Sequence, residues 1–321
     1  MFKKLIVPGF AAAIGCTGGI LFERHRNQVN FSVSADSSVV DGINPSDVLM
    51  PISSSQIKPT TDQTSSRVST IMKHGYPSYD SVRLYKNFVL SYDRRLRTAN
   101  WVFEHLTPQS LDRNASVSRK NCDFFEDPSI HPSFRARNQD FKGSGYDRGH
   151  LAPAGNYRSN QEEGCQTFIL SNISPQVGVG FNRGVWNNLE KYVRYRARRA
   201  KNLWTVTGPL YLPRNKNGKK YVKYEVIGDH DVSVPTHFFK VLLVENDDGN
   251  YEIESFVIQN KQIDDNIPLK AFKVPIDSIE RSAGFVLFDK MPKQMVRSMN
   301  SNNRFLDNFH KSLTQKDSKE P

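Results

Sequence analysis

The sequence predicts an α+β fold, a mostly antiparallel central sheet flanked by helices. Three observations support this. Seven short runs are rich in β-branched and aromatic residues; two of them are joined by ENDDGN, a strong hairpin signal; and only one stretch carries a clear helical period. Val82 to Tyr92 and Trp101 to Leu106 read as strands linked by the basic RRLRTAN, and Thr167 to Ile173 reads as a third. Leu203–Val206, Tyr221–Ile227, Phe238–Val244 and Tyr251–Ile258 follow, the last two flanking ENDDGN, where Gly249 can take the positive φ of a tight turn. The helix is expected from Gly184 to Lys201, with Leu189, Val193, Ala197 and Ala200 on its apolar face. Arg194, Arg196, Arg198, Arg199 and Lys201 crowd its last turns, where cations oppose the helix dipole; a solvated basic face explains them as well as contact with nucleic acid does.

The chain has 321 residues, enough for a sizeable core, and its 44 Lys and Arg against 33 Asp and Glu give a formal charge of +11. An excess of that size suits an anionic partner, either nucleic acid or a membrane surface. Cys16, Cys122 and Cys165 lie far apart with no CxxC spacing, so neither a disulfide scaffold nor a structural zinc site is expected.

The first 26 residues read as a targeting or membrane-associated segment. Leu5 to Phe22 carries no charge, Lys3 and Lys4 precede it, Arg24, His25 and Arg26 follow, and Glu23 is the only acid among the first 35 residues. Secretory, membrane-anchor and mitochondrial readings all stay open on these residues alone. Residues 27–70 read as a disordered linker: 15 of the 39 residues from 32 to 70 are Ser or Thr and none is aromatic, too little apolar surface to offset ordering entropy. The folded domain is expected over 71–289, followed by a polar tail, frayed or only loosely docked, over 290–321.

The chemistry concentrates in GSGYDRGHLAPAGN, 143–156. Its glycines suggest backbone drawn close to a ligand, but their spacing is wrong for a dinucleotide fingerprint, because Gly149 comes one residue late. Asp147, Arg148 and His150 stand inside it. Imidazole can accept a proton from water near neutrality, guanidinium can hold a phosphate through two hydrogen bonds, and a carboxylate can orient either. A lone loop histidine is more often structural. Of the others, His237 reads as a packed strand residue, whereas His25, His74 and His310 fall in segments expected to be mobile. Further on, Asn182, Trp186 and Glu190 recur every four residues, which places them on one side of a helix. A hard cation such as Mg²⁺ keeps several waters, so one amide oxygen can suffice as protein ligand; equally, Asn182 can be an N-cap and Glu190 a solvated surface group.

Taken together, DRGH (147–150), SNISPQ (171–176) and N-x-x-x-W-x-x-x-E (Asn182, Trp186, Glu190) resemble the DNA/RNA non-specific endonuclease family, whose active site is of the ββα-metal, or His-Me finger, type. The resemblance spans Gly75 to Phe288 and extends to the family's mitochondrial branch through FVLSYDRRLRTANWVFEHL, CDFFEDPSIH, WTVTGPLYLP, YVKYEVIG, VPTHFFKVLL and VPIDSIERSAG, in that order. It implies that His150 is the general base and Asn182 the direct ligand of Mg²⁺, for which Mn²⁺ can substitute. Glu190 would hold metal-bound water, Arg148 the phosphate, and Asn172 and Asp147 would orient the site. Arg119 is a candidate second phosphate clamp. Arg183, where the family commonly has Gln, is a candidate substrate contact, and VGVGFNRG is one residue longer than that branch's usual segment. The AGN and NRGVW stretches resemble a sister branch of mitochondrial exonucleases, which keeps a 5′-3′ exonuclease as an alternative. A catalytically inactive nucleic-acid-binding relative is another. The resemblance further implies DNA and RNA as substrates, 5′-phosphate and 3′-hydroxyl products, and a homodimer. It also implies a mitochondrial location, in the intermembrane space or at the inner membrane through the N-terminal segment; secretion is the alternative.

Overall fold

The computed structural model describes residues 67–76, 81–291, 296–298 and 306. The targeting segment, its inner-membrane association, nearly all of the linker, His25 and His310 lie outside the described residues. Thirteen strands and four complete α-helices are described, with further helical residues at 67–71 and 306. In chain order the strands are β1 (Val82–Leu84), β2 (Phe88–Asp93), β3 (Thr98–Leu106), β4 (Asp147–His150), β5 (Ile173–Gln176), β6 (Asn202–Leu210), β7 (Arg214–Lys216), β8 (Lys219–Tyr221), β9 (Val226–Ile227), β10 (Val232–Ser233), β11 (His237–Glu245), β12 (Tyr251–Gln259) and β13 (Val296–Ser298). The helices are α1 (Asn138–Phe141), α2 (Gln161–Gln166), α3 (Asn187–Ala197) and α4 (Ile276–Ala283).

A seven-stranded sheet ordered β1-β2-β3-β6-β11-β12-β13 forms the centre, antiparallel except where β13 joins β12 in parallel. The expected α+β architecture is therefore the observed one. Because side chains alternate across a strand, β11 feeds two cores at once. Phe238 and Leu242 enter the core beneath α3, while Phe239, Val241 and Leu243 enter the core on the opposite face. Coverage of both faces explains why HFFKVLLV is an almost continuous apolar run rather than an alternating one. On the first face α3 buries Leu189, Val193 and Ala197, the predicted stripe. On the second, Ile279 of α4 joins Ile71, Trp101 and Trp204. Trp204 Nε1 donates to the carbonyl of Thr70 at 2.9 Å, fastening the helical turn over 67–71 against the sheet.

Several sequence expectations give way to local chemistry. The single strand expected over 82–92 is two, β1 and β2, folded into a hairpin in which the Tyr85 amide donates to the Phe88 carbonyl at 2.9 Å. The strand expected over 167–173 is a helix end, a single bridge at Ile169 and a 3₁₀ turn, Leu170–Asn172; a continuous strand begins only at Ile173. Side-chain bonds to backbone compete successfully there: Thr167 Oγ1 donates to the Gly164 carbonyl at 2.7 Å, and Asn172 Nδ2 donates to the Thr167 carbonyl at 2.8 Å. Tyr221–Ile227 is not one strand either, but touches the short β8 and β9. The basic cluster at the end of α3 is not simply a solvated face, because Arg194 and Arg196 are buried. Arg196 pairs with Glu252 at 2.5 Å and Glu254 at 3.0 Å. His74 is likewise buried, its ring edge-on to Trp204 with centroids 4.6 Å apart. Beyond Lys290, among the described residues, β13 extends the sheet and Leu306 is fully buried in the core.

The cysteines require a further correction, since Cys122 and Cys165 form a disulfide. Sequence spacing gave no sign of it, as 43 positions separate the two. The fold brings them together by bridging Phe125 to Ile169, with the Leu170 amide donating to the Phe125 carbonyl at 2.8 Å.

Candidate active site

Two strands and a helix build the site. DRGH, read from sequence as a loop, is strand β4, paired antiparallel with β5 so that Asp147 faces Gln176 and His150 faces Ile173. Gly149 makes this pairing possible: a Cβ there would lie 2.1 Å from the Gln176 side chain. After β5 comes an irregular helical segment, Gly178–Trp186, with non-helical backbone at Val179, Gly180 and Gly184, which leads into α3. Gly180 has a φ of +75°, and a side chain there would run into the Ile263 backbone. Asn182, Trp186 and Glu190 therefore do not share one straight helix. Trp186 is fully buried, while Asn182 and Glu190 both line a cleft of about 800 Å³.

His150 forms part of the cleft wall and is only 7% exposed. Phe168 meets its ring edge-on at 4.7 Å, and Phe124 packs at 5.5 Å. Burial first, and then the positive charge of Arg119, push its pKa down to about 3, so the imidazole is neutral across the physiological range. Its Nε2 is buried and meets no hydrogen-bonding partner among the described residues. Both flanking phenylalanines also carry an arginine. Arg148 lies 4.3 Å from the Phe124 ring centroid and Arg119 lies 5.5 Å from that of Phe168, each within cation–π range. Arg148 Nη1 also donates to Asn138 Oδ1 at 2.8 Å. The two candidate phosphate clamps thus stand on the aromatic groups that hold the histidine.

Asn182 is oriented by Asp147. Its Nδ2 donates to Asp147 Oδ2 at 2.8 Å, and since a carboxylate can only accept, the amide nitrogen must be the end that is held. Oδ1 is then the end left for another partner. Asp147 also accepts from Arg183 Nη1 at 2.6 and 2.7 Å, so Arg183 sits at the rim as a largely exposed counter-ion. Asn172 does not face the cleft. It is fully buried at the end of the 3₁₀ turn before β5, accepting from the Ala152 amide at 2.9 Å and donating to the Ala152 carbonyl at 2.9 Å. That pair of hydrogen bonds clamps the chain two residues beyond His150.

Glu190 has its pKa pushed up to about 7 by burial, against the opposing pull of Arg194 and Lys240. Sequence reasoning missed the group beneath it. Arg194 lines the cleft one turn further along α3, and its Nη1 donates to Asn156 Oδ1 at 3.1 Å. Asn156 Nδ2 donates in turn to Glu104 Oε1 at 2.9 Å, and Tyr157 Oη donates to the same oxygen at 2.7 Å. The spacing Glu190-x-x-x-Arg194 was legible as one helical face, and Asn156 closes the motif already singled out; Glu104 and Lys240 could be found only from the sheet register.

Two paired strands and a helix, with a buried neutral histidine and arginines around a cleft, define a ββα-type nuclease site. The comparisons agree. The family model for DNA/RNA non-specific endonuclease matches residues 67–294. The mitochondrial endonuclease G of Caenorhabditis elegans is 52% identical over 234 residues, covering 72% of this chain and 76% of that protein. The human mitochondrial endonuclease G is 48% identical over 217 residues, covering 67% and 72%. Among solved structures, the crystal structure of an EndoG/EndoGI complex superposes with a TM-score of 0.72 at 50% identity, over 74% of this chain and 97% of that one. The chain belongs to the DNA/RNA non-specific endonuclease family, and it is an enzyme that hydrolyses nucleic acid.

Proposed function

We propose that the chain is a sugar-non-specific phosphodiesterase in which His150 takes the proton from the attacking water and Asn182 holds a divalent cation. The observation that carries this reading is the neutral His150 imidazole, whose Nε2 meets no hydrogen-bonding partner among the described residues, in a cleft that Asn182 also lines with its amide nitrogen held by Asp147. The donor set suits a hard cation. Asn182 Oδ1 is a neutral oxygen ligand, and among the described residues no group of three or more His, Cys, Asp or Glu could hold a metal. Such a site leaves room for water and phosphate oxygens. Asn182 would hold Mg²⁺, or Mn²⁺ in its place, and the bound ion would supply positive charge to offset that of a phosphodiester.

The protein's own groups account for the rest. Neutral His150 accepts a proton, and the aromatic walls formed by Phe124 and Phe168 keep its ring in place. Arg148 and Arg119 neutralise the phosphate. Glu190 orients water in the cleft, Asp147 fixes the Asn182 amide, and Asn172 fixes the backbone after His150. Arg183, already paired with Asp147, is placed to exchange that carboxylate for a substrate phosphate. None of these contacts reads a base edge, which fits cleavage of DNA and RNA alike to 5′-phosphate and 3′-hydroxyl ends. The relatives' names and the basic, acid-poor leader support a mitochondrial location, in the intermembrane space or at the inner membrane, and the family resemblance supports a homodimer.

Closed circular plasmid and a structured RNA test the reading together, because a circle offers no end to an exonuclease. Nicking and RNA cleavage should require Mg²⁺, stop with EDTA, and fall by at least about a hundredfold in His150→Ala, the lower end for a general base, and also in Asn182→Ala. Full activity in either variant would remove the mechanism. Tight binding without cleavage by the unaltered chain would make it an inactive binding relative.

A further inference from the structure

Outside the cleft, a hairpin made by β7 and β8 concentrates exposed positive charge. Asn217 and Gly218 form its turn with φ of +53° and +75°, the left-handed pair that a two-residue hairpin requires. Every residue from 213 to 226 is exposed. Within it stand Arg214, Lys216, Lys219, Lys220 and Lys223, against one acid, Glu225. None of the five cations makes an ion pair among the described residues, and the register sets Lys216 directly opposite Lys219. Like charges placed face to face weaken a hairpin unless an anion lies between them. The arm also carries two large rings: Tyr221 is 51% exposed and Tyr224 is 40% exposed, the latter braced edge-on by Tyr211 at 4.8 Å.

The arm springs from the wall of the cleft. Tyr146, which lines the cleft, donates from its hydroxyl to Glu225 Oε2 at 2.8 Å. Just beyond, Ile227 packs in the same small core as Phe141, another cleft residue, with Tyr146 against it. The arm's single acid is thus spent on the junction, and its cations are left to solvent.

We propose that this hairpin is a nucleic-acid-binding arm that grips the substrate strand flanking the scissile phosphate, its lysines neutralising phosphates and Tyr221 and Tyr224 stacking on unpaired bases. This rests on the nuclease reading and extends it beyond the cleft. Cations interleaved with exposed rings suit single-stranded nucleic acid, since every base offers a stacking face and every nucleotide a phosphate. A second copy of the chain is the poorer fit, because a twofold interface sets a patch against itself and would bring five cations against five.

The test uses the full chain and the triple variant Lys216→Glu, Lys219→Glu, Lys220→Glu, with a 40-nucleotide single-stranded DNA and a tetranucleotide too short to reach the arm. On the long substrate KM should rise roughly tenfold near 100 mM salt. The slope of log(kcat/KM) against log salt should flatten by about 2, the value for three phosphate contacts on a single strand. Tetranucleotide kinetics should not change, which also shows that the variant is folded. Three outcomes overturn the arm: an unchanged KM and salt slope on the long strand, an equal loss on both substrates, or a shift from dimer to monomer without a change in salt slope. An unaltered chain that cleaves neither oligonucleotide would instead bring down the nuclease reading on which the arm depends.

Discussion

Asn156→Ala should damage catalysis through Arg194, although Asn156 is 1% exposed and is itself no phosphate ligand. Its side chain joins two charged groups, donating to Glu104 at 2.9 Å and accepting from Arg194 at 3.1 Å. Hydrogen bonds to charged partners are worth about 1.5–3 kcal/mol each. Tyr157 keeps its bond to the same Glu104 oxygen at 2.7 Å, so the Glu104 end is partly held and the loss falls mainly on Arg194. The expected cost in stability is about 2–3 kcal/mol. For a domain of this size that lowers Tm by roughly 5–10 °C and leaves the variant folded at room temperature. A guanidinium released into the cleft should cost about 10- to 100-fold in kcat/KM, equivalent to ~1.4–2.7 kcal/mol. The assay is a double-mutant cycle on nucleic-acid cleavage with Arg194→Ala. If Asn156 works through Arg194, adding Asn156→Ala to Arg194→Ala should change kcat/KM by less than about twofold. Losses that multiply instead would show that Asn156 matters only to the fold or to other groups, and the relay would be wrong.

Reduction of Cys122–Cys165, or Cys165→Ser, releases a loop spanning 43 positions, for which chain entropy gives about 4 kcal/mol. The melt should shift down accordingly, and KM should rise more than kcat falls, because Arg119 opens the short turn that ends at Cys122; superimposable melts would refute the first point and an unchanged KM the second. Acid should destabilise the fold through its buried histidines. Burial, reinforced by Lys73, Arg67 and Arg119 respectively, holds His74 and His105 at about 4 and His150 at about 3. The unfolded chain takes up their protons near pH 6.5 and the folded chain does not, so this stability is complete above about 6.5 and is lost as pH falls toward 4. Glu190, pushed up to about 7, acts in the opposite sense by taking a proton in the folded state, and it offsets part of the loss between pH 7 and about 4.5. His105→Gln should flatten the dependence of unfolding free energy on pH between 6 and 4 by one proton, about 1.4 kcal/mol per pH unit, measured by denaturant titration; parallel slopes would refute it.

The parts of the fold that sequence made legible are those where one period dominates. β6, β11 and β12 are long and apolar, with the Gly249 turn joining the last two, and α3 carries its stripe at Leu189, Val193 and Ala197. Where side chains bind backbone, the period fails, as at Thr167 and Asn172. DRGH shows a different limit. A strand of four residues with glycine in it has no pattern of its own and exists because β5 lies beside it. The disulfide and the Glu104–Asn156–Arg194 relay join segments distant in sequence, so only the folded chain can display them. The cleft residues named from sequence are brought together, with Asn172 as the exception: it holds the backbone from beneath.

The charged residues on the inner face of the sheet show how the fold supports its cleft. Register puts Glu104 opposite Thr205 and Lys240 opposite Thr207, in the middle of the core that α3 covers. Lys240 is 1% exposed, bonds to Thr207, and lies 5.1 Å from the ring of Trp186, which stands between Asn182 and Glu190 in sequence. Burial pushes the Glu104 pKa up and the Lys240 pKa down, each pulled back by the other's charge. Buried charges held apart in this way are a poor route to stability, because desolvation can consume their Coulombic gain and apolar residues of similar volume often serve better. The value of Lys240 lies at Glu190, whose carboxyl the charge of Glu104 pushes the other way. Burial alone would drive that carboxyl towards its neutral form, and the opposing charges of Lys240 and Arg194 restrain the shift to about 7, leaving a substantial ionised fraction at neutral pH. Lys240 therefore trades stability of the sheet for an acceptor group in the cleft, and it stands on the face that α3 covers rather than in the apolar core on the opposite face.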